Sequence, residues 1–170
     1  GQIIEQISKT KIDEYLKEKI FTKAKLFNTY VNDEGKTIIP NRAYGHIINN
    51  NQLIVKDQYW CSATIGDGGL YSNIIDLNRW IDYLLNDVFD KLKSTMFLPN
   101  VFDEKTQSYY GLGIRIINVN GCDIYYHCGD TIGTNTFILF SKDLNLRCIF
   151  LTNMGNIDTE NLKENIIHLI

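Results

Sequence analysis

The stretch that decides the fold is Tyr110-Gly111-Leu112-Gly113-Ile114-Arg115-Ile116-Ile117-Asn118-Val119-Asn120-Gly121-Cys122-Asp123-Ile124-Tyr125-Tyr126-His127-Cys128-Gly129. Residues 112–118 and 122–127 are rich in Ile and Tyr, side chains that suit a pleated strand. Asn120-Gly121 between them is a strong hairpin signal, because both positions of the tightest turn need positive φ. Two antiparallel strands are therefore expected, joined at that dipeptide. Further on, residues 135–141 and 146–152 read as a second antiparallel pair across Lys142-Asp143-Leu144-Asn145. Asp158 is placed to cap a closing helix that carries Leu162, Ile166, Leu169 and Ile170 on one side.

Upstream of this region the period becomes helical. Asn73 can cap a helix with Asp76 in its first turn, and Leu77, Trp80, Ile81, Leu84, Leu85 and Val88 form its apolar stripe. Near the start, Thr10 is expected to cap another helix with Asp13 as its reciprocal partner. Ile12, Tyr15, Leu16 and Ile20 then share a face. Polar turns at Asn32-Asp33-Glu34-Gly35 and Asn49-Asn50-Asn51 break the pattern between the two helices. The expected organisation is one domain over 1–170. It comprises a helical region to about residue 30, an irregular middle over 31–109 apart from helix 74–88, and antiparallel strands with a closing helix over 110–170. That is an α+β class, an antiparallel sheet with flanking helices.

Composition narrows the function. The 170 residues suffice for one domain with a core, and 44% hydrophobic against 22% charged residues is ordinary for a globular protein. Lys+Arg 17 against Asp+Glu 20 gives a net charge of -3, and the lysines are scattered, so no nucleic-acid partner is expected. No apolar run approaches the roughly 18–20 residues that cross a bilayer. Cys61, Cys122, Cys128 and Cys148 form no C-x-x-C pair and have no histidine at zinc-finger spacing. They read as free thiols packed on strands, with a Cys122–Cys128 disulfide unsupported and no metal expected.

Several short pieces, in order, carry a resemblance. They are Gly1-Gln-Ile-Ile-Glu-Gln-Ile-Ser8, Tyr15-Leu16 with Ile20-Phe21 and Leu26-Phe27, Ala43-Tyr44-Gly45-His46, and Gly68-Gly69-Leu70-Tyr71-Ser72 with Asp76-Leu77 and Trp80. Tyr110-Gly111-Leu112-Gly113, His127-Cys128-Gly129 with Gly133, and Leu151-Thr152-Asn153 complete the set. Together they resemble the C-terminal portion of penicillin-recognising serine hydrolases: class C β-lactamases, D-Ala-D-Ala carboxypeptidases and related esterases. The resemblance implies a partial β-lactamase/transpeptidase-like fold, with the N-terminal strands and the nucleophile's helix outside this sequence.

In that family a serine in Ser-x-x-Lys attacks a carbonyl while the lysine and a tyrosine move the proton. A Lys/His-x-Gly motif on an edge strand closes the site. Carried over, that motif falls on His127, Cys128 and Gly129. His127 would then act in catalysis, by donating to a substrate carboxylate or polarising the tyrosine, while Cys128, Gly129 and Asp130 line the substrate. The backbone N–H of Asp130 would be one oxyanion-hole donor. Asp130 departs from the usual Gly or Ser, and its carboxylate would repel an oxyanion unless it points away. Thr134 where Phe is common, and Gly68 where class C β-lactamases place a tyrosine, are further departures, the second suggesting a more open pocket.

Two look-alike motifs are set aside. Ser8-Lys9-Thr10-Lys11 fits Ser-x-x-Lys, but Ser8 is expected in a turn between helices, with Lys11 in the next helix's first turn. Tyr71-Ser72-Asn73 fits Tyr-x-Asn but reads as a helix start. A Cys128/His127 dyad is disfavoured because strand neighbours point to opposite faces. His46 and His168 are expected to face solvent. The chain alone is therefore expected to be inactive in acyl transfer and to need no cofactor. Its substrate class would be a β-lactam, D-Ala-D-Ala peptide or ester; the alternative is a non-catalytic module that binds cell-wall peptide or a protein. Without upstream strands, Arg147–Leu151 should be an apolar edge that pairs with the missing N-terminal half or with a second copy. A cell-envelope location is what most relatives would imply.

Overall fold

The computed structural model describes residues 1–32, 37–58 and 65–170. Cys61 and residues 33–35 of one expected turn lie outside the described residues. The sheet grows from the Asn-Gly hairpin. Strands β7 (Arg115–Val119) and β8 (Cys122–Thr131) meet at Asn120 and Gly121, with φ of 52° and 86°. Both turn residues are thus in the left-handed region that the dipeptide accommodates. Strands β9 (Thr134–Ser141) and β10 (Leu146–Thr152) follow as the second antiparallel pair. Two shorter strands, β5 (Val101–Asp103) and β6 (Ser108–Tyr110), extend the other side. The antiparallel order is β10-β9-β8-β7-β6-β5.

The stretch 31–109 is less irregular than its composition suggests. Besides β5 and most of β6, it holds a hairpin of β2 (His46–Asn49) and β3 (Gln52–Val55). Asn50 and Asn51 make its turn with φ of 48° and 59°, the asparagine version of the same hairpin chemistry. A small ribbon pairs β1 (Tyr30–Val31) with β4 (Leu70–Tyr71). These strands are too short for alternation to mark them.

Each sheet face is covered by a helix because β8 and β9 alternate apolar residues on both sides. Helix α3 (Ile74–Asp82) continues through a π-helical segment, Tyr83–Val88, into α4 (Phe89–Leu92). On that side Ile81, Leu84 and Leu85 pack with Ile114, Ile116, Tyr125 and Phe140. On the other side Ile167 of α5 (Thr159–His168) packs with Ile124, Tyr126, Phe137 and Leu139. Ile124, Leu139 and Phe140 are all 0% exposed, so truncating any of them to Ala should cost roughly 2–5 kcal/mol.

The caps follow the sequence at two helices and depart from it at one. Asn73 Oδ1 accepts from the Asp76 amide at 2.9 Å, and Asp158 Oδ1 accepts from the Asn161 amide at 3.0 Å. The Asp76 side chain has a separate role. Fully buried, it accepts from the Asn28 amide (2.6 Å), the Thr29 hydroxyl (3.0 Å) and Arg79 Nη1 (3.0 Å), tying the N-terminal segment to α3. Thr10 is not a cap. Helix α1 (Gln2–Ser8) ends at Lys9, with φ of 57°, and α2 (Ile12–Leu16) begins after Lys11. Thr10 is taken up in a local turn with Ser8, and Glu5 Oε1 supplies the cap by accepting from the Ile12 amide at 2.9 Å.

The β2–β3 hairpin is fastened to the β8–β9 turn through three glycines. A Cβ on Gly133 would lie 1.8 Å from the Lys56 carbonyl oxygen and 2.8 Å from Gly45 Cα, and one on Gly155 would lie 2.9 Å from Gly133 Cα. The His46 amide donates to the carbonyls of Gly133 (3.2 Å) and Asn153 (2.9 Å), and the Gly155 amide donates to the His46 carbonyl (2.8 Å). At the sheet's other end, β10 pairs only with β9 among the described residues. Its Arg147 is tied to Asp82 and Asn78 of α3.

A candidate active-site edge on strand β8

Strand β8 is longer than the β7 it pairs with, and this difference leaves the candidate edge. Their last pair is Arg115↔Tyr126, whereas β8 continues to Thr131 against β9. Ile132 and Gly133 form a two-residue turn, so its flanking pair Thr131↔Thr134 is hydrogen-bonded. Gly129 and His127 then also direct their amide and carbonyl groups towards β9. Cys128 and Asp130 direct theirs the other way, to an edge that no strand occupies among the described residues.

Side chains along this edge alternate between two neighbourhoods. His127 shares the side of Tyr125 and is half-buried, with Nε2 3.1 Å from the Tyr110 hydroxyl. Burial pushes its imidazole below the ordinary value, and the nearby Arg115 charge acts in the same direction, against a hydrogen bond to the Cys128 backbone that favours the proton. Cys128 lies on the opposite side, beside Glu160 and Lys163 of α5. Burial, then the Glu160 carboxylate, pushes its thiol up to about 11, so it is a neutral packing group rather than a nucleophile. Lys163 is itself buried, ion-paired to Glu160 and 4.5 Å from the centroid of the Tyr126 ring. For Glu160, desolvation is the largest single influence and raises its value. Hydrogen bonds from Lys163 and Cys128 together with the Lys163 charge outweigh it, and the carboxyl is lowered.

Gly129 presents bare backbone, and a Cβ there would lie 2.6 Å from Thr136 Oγ1. Asp130 follows Cys128 onto the α5 side, where Oδ1 accepts from Asn135 Nδ2 at 3.0 Å. The carboxylate therefore points away from the His127–Gly129 side, and only the Asp130 peptide group reaches the open edge. A cleft of about 370 Å³ is lined by Asp130, the Thr131–Gly133 turn, Ile47, Lys56, Gly155 and Asn156.

A sequence model of the beta-lactamase family matches residues 1–167. The chain belongs to the beta-lactamase family. The fold agrees with solved structures. A penicillin-binding protein from Bacillus halodurans has a TM-score of 0.82 at 19% identity, over 100% of this chain and 53% of that one. The octameric penicillin-binding protein homologue from Pyrococcus abyssi has 0.79 at 21% identity, over 99% and 40%. A D-stereospecific amidohydrolase from Streptomyces has 0.75 at 16% identity, over 96% and 50%. This beta-lactamase-family chain thus spans about half the length of the solved chains it resembles. No curated protein sequence matches it significantly.

The look-alike motifs of this family member have separate neighbours. Ser8 closes α1 and bonds to Thr10, while Lys11 precedes α2 across a chain reversal. Tyr71 pairs with Tyr30 in the small ribbon and lies under Arg42, 4.6 Å from its ring centroid to the guanidinium carbon. Burial raises its hydroxyl above the ordinary tyrosine range. Ser72 Oγ is 2.8 Å from Thr29 Oγ1, and Asn73 caps α3. His168 is exposed as expected, but His46 is half-buried, with Nδ1 3.3 Å from Asn153 Nδ2. Cys122, Cys128 and Cys148 are free thiols. Sequence reasoning missed Tyr110, Arg115 and Asp103 around His127. A lone arginine in the Ile-rich strand 114–119 was the available signal.

Proposed function

We propose that this chain supplies the substrate-binding edge of a serine hydrolase that transfers acyl groups from β-lactams, D-Ala-D-Ala-type peptides, D-amino acid amides or small esters. The nucleophile comes from residues outside this sequence. The observation that carries the reading is the open edge of β8, with the Asp130 peptide group exposed beside Gly129. An extended acyl donor can add there as a strand, with main-chain hydrogen bonds setting its register. The Asp130 N–H then lies where a carbonyl oxygen gains charge under nucleophilic attack, and its carboxylate is turned away from that charge. Family membership and the likeness to penicillin-binding proteins and a D-stereospecific amidohydrolase support the same reading.

The serine would add to the carbonyl, the leaving amine or alcohol would take a proton, and water would release the acyl group from the ester formed. The half-paired strand β10 supports a second part of the proposal, that the remaining half of the fold or a second copy covers this edge.

Intact mass after incubation with a penicillin and with a fluorophosphonate tests the reading. The 170-residue chain should take no label, and a longer protein that includes it should take one label at a serine outside 1–170. A label on Ser8 would sink the assignment of the nucleophile. An unlabelled longer protein that still binds D-peptides would make this a binding module instead. A monodisperse monomer of this chain in light scattering would count against the covered edge.

A further inference from the structure

His127 is the inner end of a chain of side chains drawn from four neighbouring strands. Asp103 on β5 accepts from Arg115 Nη1 at 2.8 Å, and the same nitrogen donates to Thr106 Oγ1 (2.7 Å) and Ser108 Oγ (3.3 Å). Ser108 is only 1% exposed, and its hydroxyl is 2.8 Å from that of Thr106, so the guanidinium is held from several directions. Arg115 on β7 lies over the Tyr110 ring, 5.2 Å from its centroid. Tyr110 on β6 reaches past the end of β7 to His127 on β8, with ring centroids 6.2 Å apart and planes at 60°. Its hydroxyl ends 3.1 Å from Nε2.

We propose that Tyr110 is a positioning residue: its hydroxyl donates to Nε2 of a neutral His127, fixing the Nδ1–H tautomer and the ring's orientation beside the open edge. Arg115 is the fixed cation behind it. A neutral imidazole has one donor and one acceptor nitrogen. The hydrogen bond to the Cys128 backbone favours the protonated ring. The Arg115 cation over the Tyr110 ring, 5.2 Å from its centroid, strengthens that phenol as a donor and weakens it as an acceptor. Nε2 is then the acceptor, and Tyr110 is the donor that meets it. Protonating Nε2 would oppose the Tyr110 donor and would place a second cation across Tyr110 from Arg115.

The groups that face the ring agree with this assignment. Tyr110 comes from β6 and Arg115 from β7, Ile138 is its apolar neighbour on β9, and Asp103 is engaged by Arg115. Asp130 is turned to the other side of the strand. Resting on the proposed function, this leaves His127 itself uncharged at neutral pH, which favours amides and esters over those of the proposed donors that end in a carboxylate.

The test is nitrogen NMR of His127 in the full chain with labelled histidine, titrated in the parent, Tyr110→Phe and Arg115→Gln. In the parent, Nδ1 should be the protonated nitrogen. Tyr110→Phe should raise the titration midpoint by roughly 0.5–1 pH unit, the equivalent of one hydrogen bond, and mix the tautomers. Arg115→Gln should also raise the midpoint; if it does not fold, Arg115→Lys, which keeps the charge, should leave the midpoint near the parent's. An Nε2–H ring in the parent, or an unmoved midpoint and tautomer in folded Tyr110→Phe, overturns the proposal. In an active longer protein the acid limb of kcat/KM should move with Tyr110→Phe. If that protein transfers no acyl group while the NMR shifts hold, the functional reading falls and the positioning role stands.

Discussion

Replacing Gly133 with Ala tests how the β2–β3 hairpin is held, because a second glycine provides an internal control. Gly133 and Gly121 both have positive φ, 77° and 86°, so in either place an Ala meets left-handed backbone strain of roughly 1–2 kcal/mol. Around Gly121 nothing lies within 4 Å of an added Cβ. At Gly133 the Cβ would be 1.8 Å from the Lys56 carbonyl oxygen and 2.8 Å from Gly45 Cα, all of it backbone with no flexible end to yield. The hairpin must lift, and the His46 amide's bonds to Gly133 and Asn153 go with the bond from the Gly155 amide to His46. At about 1 kcal/mol for each of three hydrogen bonds, plus the strain, the loss should reach roughly 4–5 kcal/mol. That is a large share of an ordinary domain's stability. Urea denaturation of the two variants side by side should show Gly133→Ala destabilised about three times as much as Gly121→Ala. Amide exchange at His46 and Gly155 should accelerate only in the first. Equal destabilisation, or unchanged exchange, would refute the argument.

Asp76→Ala should destabilise by roughly 3 kcal/mol, because it removes a fully buried carboxylate that accepts from the Asn28 amide, the Thr29 hydroxyl and Arg79; a loss below about 1 kcal/mol in urea would contradict the role given to it. With its thiol pushed up to about 11, Cys128 should be about one part in a thousand thiolate at pH 8. Iodoacetamide mapping should therefore find it far slower than a free thiol. Glu160→Gln removes the anion that opposes the thiolate, so it should speed the reaction, and no change would exclude that cause. The proton that His127 resists in the fold is taken up readily by the unfolded chain. Its contribution is therefore complete above the unfolded value near 6.5 and is lost progressively as pH falls below it. Tm should decline on that acid side, and His127→Gln should flatten the decline; an unchanged slope would rule His127 out as its source.

Long, locally encoded elements were legible in the sequence: the Asn120-Gly121 hairpin, the β9–β10 pair, and the helices capped by Asn73 and Asp158. Each depends on residues a few positions apart. The Thr10 cap failed because a residue from the preceding helix, Glu5, competed for the same amide. The short strands of 46–55 and 101–110 escaped because three- and four-residue strands show too little alternation, although Asn50-Asn51 carried the turn signal. For the site, the motif His127-Cys128-Gly129 marked the strand, and the expected divergence of His127 and Cys128 follows from the pleat. What lies beside each residue was not readable. Tyr110 meets His127 only because β7 stops short, and Asp130 is turned aside by an asparagine five residues on in the chain.

One strand that shows His127 and Gly129 to one side and Cys128 and Asp130 to the other is also a partition for engineering. Reporters can be installed behind it without entering the His127 side: a fluorine on Phe137, the residue paired with Cys128, would sense strand movements from the far side of the sheet. Conversely, drift at 128 over generations can retune the seat of the last helix while the His127–Gly129 face keeps its shape.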